Sequence, residues 1–129
     1  MTQFLVGVDL GTSACKTVVF TLEGEKVSEA LEEYPVYHPQ PRWAEQNPME
    51  WWHAAVKTII ESLEKADIGN DGIAGLSVDS QREAVVPIGK MGEELYNSII
   101  WLDNRTRPQA EEIIRRVCLS HVKTLGSVS

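Results

Sequence analysis

The sequence predicts an α/β protein built as one domain. Phe4 to Leu10 is a nearly continuous apolar run, typical of a strand buried on both faces in the middle of an α/β sheet. From Met49 to Leu63, large apolar residues recur at helical spacing, which indicates an amphipathic helix. The chain has 129 residues, and domains usually span roughly 100 to 200 residues, so we expect a single domain.

The first third of the chain predicts a three-stranded antiparallel meander. The strand Phe4 to Leu10 ends in a polar turn, and residues 16–21 alternate and are rich in β-branched side chains, which favours a second strand. A third strand is expected from Lys26 to Glu33. Its inner face is expected to carry Val27 and Leu31, and Ala30 fits neither face clearly.

The proline-rich residues 34–46 predict an irregular connection on the surface, and a helix follows it. Asn47 can cap the helix, Pro48 suits its first position, and Glu50 can bond back to the free amide of the cap. The helix should run to about Ala66. Its buried stripe is expected to comprise Met49, Trp52, Val56, Ile59, Ile60 and Leu63.

The remainder predicts three short strands and a second helix. Residues 73–78, 84–88 and 98–101 are apolar enough for strands, and polar loops follow at 79–83 and 103–106. The second helix should begin near Pro108 and bury a face that carries apolar residues between Ala110 and Cys118.

Charge and composition exclude several classes of protein. Twelve basic against 19 acidic residues give a net charge of −7, which argues against binding nucleic acid or an anionic membrane. We see no signal peptide and no apolar run long enough for a membrane helix, so we expect a cytoplasmic protein.

Residues 9–16 have the composition of a phosphate and magnesium site. Gly11 permits close backbone approach to an anion, and Thr12 and Ser13 add hydroxyl donors. Asp9 could serve Mg²⁺, and Lys16 could place a positive charge near a phosphoryl group. An ordinary Gly-Thr hairpin turn is an equally good interpretation of these residues alone.

Two further polar groups could hold a small ligand. Gln81, Arg82 and Glu83 follow a predicted strand and can donate to and accept from several hydroxyls, which suits a sugar or polyol. Trp101 with Asp103 and Arg105 could stack on the same kind of ligand. The alternatives are a solvated charged turn for the first group and a core tryptophan beside a helix cap for the second.

Four segments together resemble the FGGY carbohydrate kinases. They are VGVDLGTS at 6–13, WAEQNPMEWW at 43–52, SQREA at 80–84 and NSIIWLDNRT at 97–106. The first segment alone is also similar to Hsp70-type chaperones and actin-like ATPases. Within the family, the Gln-Arg-Glu triplet resembles glycerol kinases and the tryptophan-rich segment resembles xylulose kinases, so the acceptor stays open.

The resemblance implies a ribonuclease-H-like, actin-like ATPase core and an ATP-dependent kinase that phosphorylates a hydroxyl of a small sugar or polyol. It implies ATP and Mg²⁺ as cofactors. By the same resemblance, Asp9 would bind the metal, Thr12 and Ser13 would bind the nucleotide phosphates, and Arg82 and Glu83 would bind the hydroxyls of the acceptor. Lys16 stands where glycerol kinases commonly have arginine.

The same resemblance implies that residues 1–129 are part of an N-terminal lobe, with the second lobe and the general base outside this chain. The chain alone is then expected to be inactive and to favour self-association into homo-oligomers. The alternatives are a chaperone- or actin-like ATPase module and a non-catalytic fragment.

Overall fold

The computed structural model describes residues 3–125, with the side chains of Asn70 and of residues 118–125 outside the description. The described strands are β1 Phe4–Leu10, β2 Ala14–Thr21, β3 Lys26–Glu33, β4 Glu45–Gln46, β5 Ile73–Ser80 and β6 Ser98–Ile99. The helices are α1 Pro48–Lys65 and α2 Arg107–Leu125, and Asn70–Gly72 is a turn of 3-10 helix. The predicted α/β class is confirmed.

Four strands form one mixed sheet in the order β3-β2-β1-β5. Strand β2 is antiparallel to both β1 and β3, whereas β5 is parallel to β1 and is reached through α1. Because β1 and β5 end at the same edge, the polar segments that follow Leu10 and Ser80 meet there.

Helix α1 covers one face of the sheet and forms the core with it. Val6, Val8 and Val19 are almost fully buried beneath the helix, and Ala54 faces them from α1. The opposite sheet face is open, with Leu5 41% exposed. The expectation that β1 is buried on both faces is therefore wrong for the described residues.

The start of α1 follows the prediction only in part. Asn47 Oδ1 accepts a hydrogen bond from Met49 N at 2.9 Å, and Pro48 is the first helical residue. Glu50 does not bond back to the cap, because its Oε1 accepts instead from the Tyr37 hydroxyl at 2.7 Å. The Glu50 carboxylate is therefore bound by the connection that precedes α1 and not by the cap.

The prediction for the buried stripe of α1 is correct for two of its residues and wrong for the other four. Ile59 and Leu63 do pack against the core. The exposed members of the stripe are Met49, Trp52, Val56 and Ile60. The residues that α1 turns to the sheet are small, namely Ala54, Thr58 and Ser62, and they let the helix lie close to it. Thr58 Oγ1 lies 2.8 Å from Thr17 Oγ1 of β2, and the Ser28 hydroxyl of β3 donates to Ser62 O at 2.6 Å.

Strand β3 presents the face opposite to the one predicted. Ala30 is buried against α1, whereas Val27 and Leu31 are exposed on the open side of the sheet. Because alternate residues of a strand share a face, Val27 and Leu31 lie on the same side as Glu29. Glu29 forms ion pairs on that side with Lys16 and Lys26.

The connection over residues 34–46 is not the surface segment that its prolines suggest. Tyr34, Ala44, Glu45 and Gln46 are buried, and β4 pairs with β6 in a small antiparallel sheet. Tyr37 and Glu45 also exchange two backbone hydrogen bonds. This second sheet fixes the connection against the end of the main sheet.

Two other predictions also need correction. Residues 84–88 form isolated bridges at Val85 and Ile88 instead of a strand. Helix α2 begins at Arg107, as expected, but Ile113 and Ile114 are 61% and 62% exposed, so its apolar face does not join the core. The side chain of Cys118 lies outside the described residues.

Candidate functional site

The turn between β1 and β2 is fixed by hydrogen bonds to all three of its carbonyl oxygens. The Tyr34 hydroxyl donates to Gly11 O at 2.6 Å, and Tyr34 N donates to Ser13 O at 3.1 Å. Gln46 Nε2 donates to Thr12 O at 2.8 Å. Burial raises the pKa of Tyr34 to about 12, so its hydroxyl stays protonated as the donor.

These bonds determine where the amides of the turn point. In a trans peptide the C=O of one residue and the N–H of the next point in opposite directions. Since the carbonyls of Gly11 and Thr12 are held by protein groups, the N–H groups of Thr12 and Ser13 point away from those groups. They donate to no acceptor among residues 3–125. Two such free amides are suited to binding an anion.

Gly11 keeps this turn tight. Its N–H donates to Ala14 O at 3.0 Å, and a Cβ at this position would lie 3.2 Å from the same oxygen. A side chain would therefore press against the atom that closes the turn.

The segment after β5 is attached to the same turn. Gln81 N donates to Leu10 O at 2.8 Å, and Gln81 Nε2 donates to Gln46 Oε1 at 2.8 Å. The predicted phosphate turn and the predicted acceptor loop are therefore neighbours, with Gln46 between them.

Five of the predicted site residues line one open groove of about 440 Å³. They are Thr12, Gln81, Arg82, Glu83 and Trp101. Trp101 Nε1 donates to Thr12 Oγ1 at 3.0 Å, which attaches the end of the second sheet to the turn. An apolar ring, a guanidinium and a carboxylate around one space can bind a small molecule with several hydroxyls.

Asp9 and Lys16 do not line this groove but lie on the open face of the sheet, where they border a separate shallow cavity. They are register partners on β1 and β2, and Asp79 is the register partner of Asp9 on β5. The Lys16 ammonium lies 2.7 Å from Glu29, and the hydrogen bond from Lys16 lowers the pKa of that carboxyl. Across the described residues, no group of three or more His, Cys, Asp or Glu side chains is placed to hold a metal ion.

Asp103 lies in a buried charge cluster and does not line the groove. Both of its carboxylate oxygens accept from Arg105, and Oδ2 also accepts from Ala44 N at 2.7 Å. Arg105 Nη2 reaches Glu45 Oε1 at 2.7 Å, and its guanidinium lies 3.7 Å from the centre of the Trp43 ring. The cluster holds β4 against the loop that carries Trp101.

Tyr34 and Gln46 are the important site residues that the sequence reasoning missed. Both belong to the connection that was expected on the surface, and both act through main-chain carbonyls that no motif reports. For Gln46 the available signal was its position between Pro41 and Pro48, directly before the cap of α1, whereas Tyr34 stands before Pro35 at the start of the connection.

Comparison with known proteins found a family match and related kinases. The model of the FGGY family of carbohydrate kinases, N-terminal domain, matches residues 4–127. The glycerol kinase of Thermococcus gammatolerans is 34% identical over 115 residues, which are 89% of this chain and 23% of that protein.

Solved structures give the same result. A gluconate kinase from Lactobacillus acidophilus is 29% identical with a TM-score of 0.84, covering 90% of this chain and 23% of its own. A ligand-bound xylulose kinase from the same organism is 30% identical with a TM-score of 0.82, covering 88% and 23%. A Plasmodium falciparum glycerol kinase with ADP shares the fold at 22% identity and a TM-score of 0.75, covering 87% and 23%.

These matches concern one part of each relative, since the chain spans about a quarter of their length. Between residues 3 and 125, no helix is long and apolar enough to cross a membrane.

Proposed function

The chain belongs to the FGGY family of carbohydrate kinases, and we propose that the protein carrying it transfers a phosphoryl group from ATP to a hydroxyl of a small sugar or polyol. One observation carries this proposal. The turn with two free amides and the Gln81 to Glu83 segment border the same groove, so a phosphate donor and a hydroxyl acceptor can lie side by side.

The turn is proposed as the phosphate site. The amides of Thr12 and Ser13 and their hydroxyls can donate to phosphate oxygens, and Gly11 lets the backbone approach them closely. Lys16 would have to leave Glu29 to reach a phosphate, and as a point charge it would add no bidentate geometry.

Asp9 suits Mg²⁺ that arrives with a nucleotide. Its exposed carboxylate accepts no hydrogen bond from any residue that the structure describes, and oxygen ligands of this kind suit magnesium, which keeps several waters. The ion would neutralise phosphate charge during transfer. Asp9 would hold it directly or through one of these waters.

The acceptor is proposed to bind against Arg82, Glu83 and Trp101, with Gln81 at the wall. Arg82 can donate to hydroxyl oxygens, Glu83 can accept from hydroxyls, and the Trp101 ring can cover an apolar sugar face. Asp103 is proposed to contribute through the loop that it stabilises. The relatives are kinases of glycerol, xylulose and gluconate, which share a small polyhydroxylated chain.

We also infer the setting of this site. The antiparallel strands β1 to β3 followed by α1 and β5 would be the start of an actin-like core, with residues 1–129 forming part of the first lobe. A second lobe would supply the general base and the adenosine pocket. The protein is proposed to work in the cytoplasm and to form homo-oligomers.

The test uses the protein expressed from its complete reading frame, with Mg-ATP and glycerol, xylulose or gluconate. Arg82→Ala should raise the acceptor KM roughly 10- to 100-fold, equivalent to about 1–3 kcal/mol, because the acceptor hydroxyls lose a charged partner. The KM for ATP should change little. Arg107→Ala is the matched control, since Arg107 is an exposed arginine of α2 paired with Glu111.

Two results would oppose the proposal. Unchanged acceptor kinetics in Arg82→Ala would make the 81–83 segment a solvated turn. ATP hydrolysis that no sugar or polyol stimulates would indicate a chaperone- or actin-like ATPase instead.

A further inference from the structure

Gln46 has an amide orientation that its neighbours determine. The side chain is fully buried, and its Nε2 lies 2.8 Å from Thr12 O and 3.2 Å from Pro35 O. Carbonyl oxygens only accept hydrogen bonds, so the atom facing both of them must be the nitrogen. The other end of the amide, Oε1, is therefore an acceptor.

The orientation of the Gln46 amide also determines the orientation of the Gln81 amide. The Gln81 side chain lies 2.8 Å from Gln46 Oε1 and must turn its own Nε2 towards that oxygen. Gln81 Oε1 is left buried and without a donor among the residues that the structure describes. A buried acceptor without a donor is costly, and a hydroxyl of a bound acceptor could supply the missing bond.

We propose that Gln46 is a positioning residue for both halves of the site. It holds the phosphate turn through Thr12 O, and through Gln81 it presents an oxygen acceptor to the sugar or polyol. This inference rests on the proposed kinase function. Gln46 touches neither ligand, and it acts through the turn and through Gln81.

The experiment compares Gln46→Met with Gln81→Met in the protein of complete reading frame. Methionine keeps the length of the side chain and removes the hydrogen bonds. Gln46→Met should raise the KM values for ATP and for the acceptor about five- to tenfold each, with little change in kcat. Gln81→Met should raise only the acceptor KM. In the double variant the acceptor KM should be no higher than in the more impaired single variant. The reason is that each substitution breaks the same series of hydrogen bonds from Gln46 through Gln81 to the acceptor.

A loss of stability could imitate this result, so Thr58→Val is the matched control. Thr58 is equally buried and hydrogen-bonded, but it lies between α1 and β2 and does not line the groove. Thr58→Val should lower the melting temperature without moving either KM. Equal KM changes in Thr58→Val, or additive effects in the double variant, would overturn the proposal.

An NMR measurement separates this inference from the kinase function. With ¹⁵N-labelled glutamine, the Gln81 side-chain amide should show slowed exchange that is lost in Gln46→Met but kept in Thr58→Val. An unprotected Gln81 amide in the unsubstituted protein would refute the positioning role even in an active kinase. Protection in a protein without kinase activity would refute the proposed function alone.

Discussion

Among the side chains that the structure describes, only Arg105 connects the two buried carboxylates behind the groove. The side chains of Glu45 and Asp103 are 1% and 3% exposed, and Arg105 is 17% exposed. Removing one partner of a buried ion pair leaves the other charge buried and uncompensated, which strongly destabilises the folded state. The cluster therefore makes the loop that carries Trp101 dependent on one guanidinium.

We predict that Arg105→Met lowers the free energy of unfolding by about 3 kcal/mol at pH 7. The measurement is urea denaturation followed by tryptophan fluorescence. Arg107→Met, which removes an exposed pair with Glu111, should change it by less than about 1 kcal/mol.

The pH dependence follows from the same cluster. Burial raises the pKa of Glu45 and of Asp103, but the hydrogen bonds led by Arg105 outweigh it, and both pKa values lie below their ordinary 4.5 and 3.8. A lowered carboxyl pKa contributes stability that is complete above the ordinary value and is lost as the pH falls through the folded value. Stability should thus fall below about pH 4 in the unsubstituted chain. Without Arg105, the buried carboxylates take up protons more easily, so the variant should lose less stability over that interval. An unchanged pH profile in Arg105→Met would contradict this account.

Helix α1 is followed by a residue in an unfavourable backbone conformation. Asp67 has φ +54°, the left-handed region that favours glycine. Asp67 N donates to Glu64 O and Ile68 N donates to Leu63 O, both at 3.1 Å, which is a Schellman closure of the helix.

Asp67→Gly should therefore raise the free energy of unfolding by roughly 0.5 kcal/mol. The relief of about 1 kcal/mol in backbone strain is partly offset by the greater freedom of glycine in the unfolded chain. Loss of a carboxylate at the negative end of the helix adds to the gain. Ala66→Gly is the control, because Ala66 has an ordinary φ of −88°, and glycine there should destabilise. Equal effects of the two substitutions in denaturant titrations would show that the left-handed conformation does not matter.

The elements also show how far the sequence could predict the fold. Strand β1, the turn after it and the cap of α1 were predictable because each depends on neighbours in the chain. The buried face of α1 was not predictable. A helical pattern is read from its large apolar residues, whereas the residues that pack against the sheet are small. Thr58 and Ser62 read as polar in the sequence, yet they allow the close approach to Thr17 and Ser28.

The candidate site was predictable to the same degree. The residues of the groove lie at strand ends and in motifs, so their types alone indicated a polar ligand. The contacts that orient them are long-range: Gln46 is 35 positions from Gln81, and Trp101 is 89 positions from Thr12. Such contacts depend on how β4 and β6 pair, which no local pattern in the chain specifies.

Apolar surface is exposed on several of the described elements. Trp52, Ile60, Leu76, Ile113 and Ile114 are each more than half exposed. Patches of this kind usually mark contact with another protein surface or domain. Relatives almost four times as long have further chain that could lie against such faces, and self-association of this chain stays a prediction.

We predict that the 129-residue chain by itself transfers no phosphoryl group at a measurable rate. Its groove is open to solvent, so bound reactants would lack the fixed geometry on which phosphoryl transfer depends. The general base and the second lobe are proposed to lie outside these residues. On that basis the lack of the base alone costs roughly 10²- to 10⁴-fold in rate, and closure of two lobes around the substrates is lost as well. The measurement is a coupled assay of the purified chain with Mg-ATP and glycerol, xylulose or gluconate, beside the protein of complete reading frame as the positive control. Turnover that stays with the chain through further purification, and that Arg82→Ala abolishes, would place the catalytic base within these residues and overturn the division of the site proposed above.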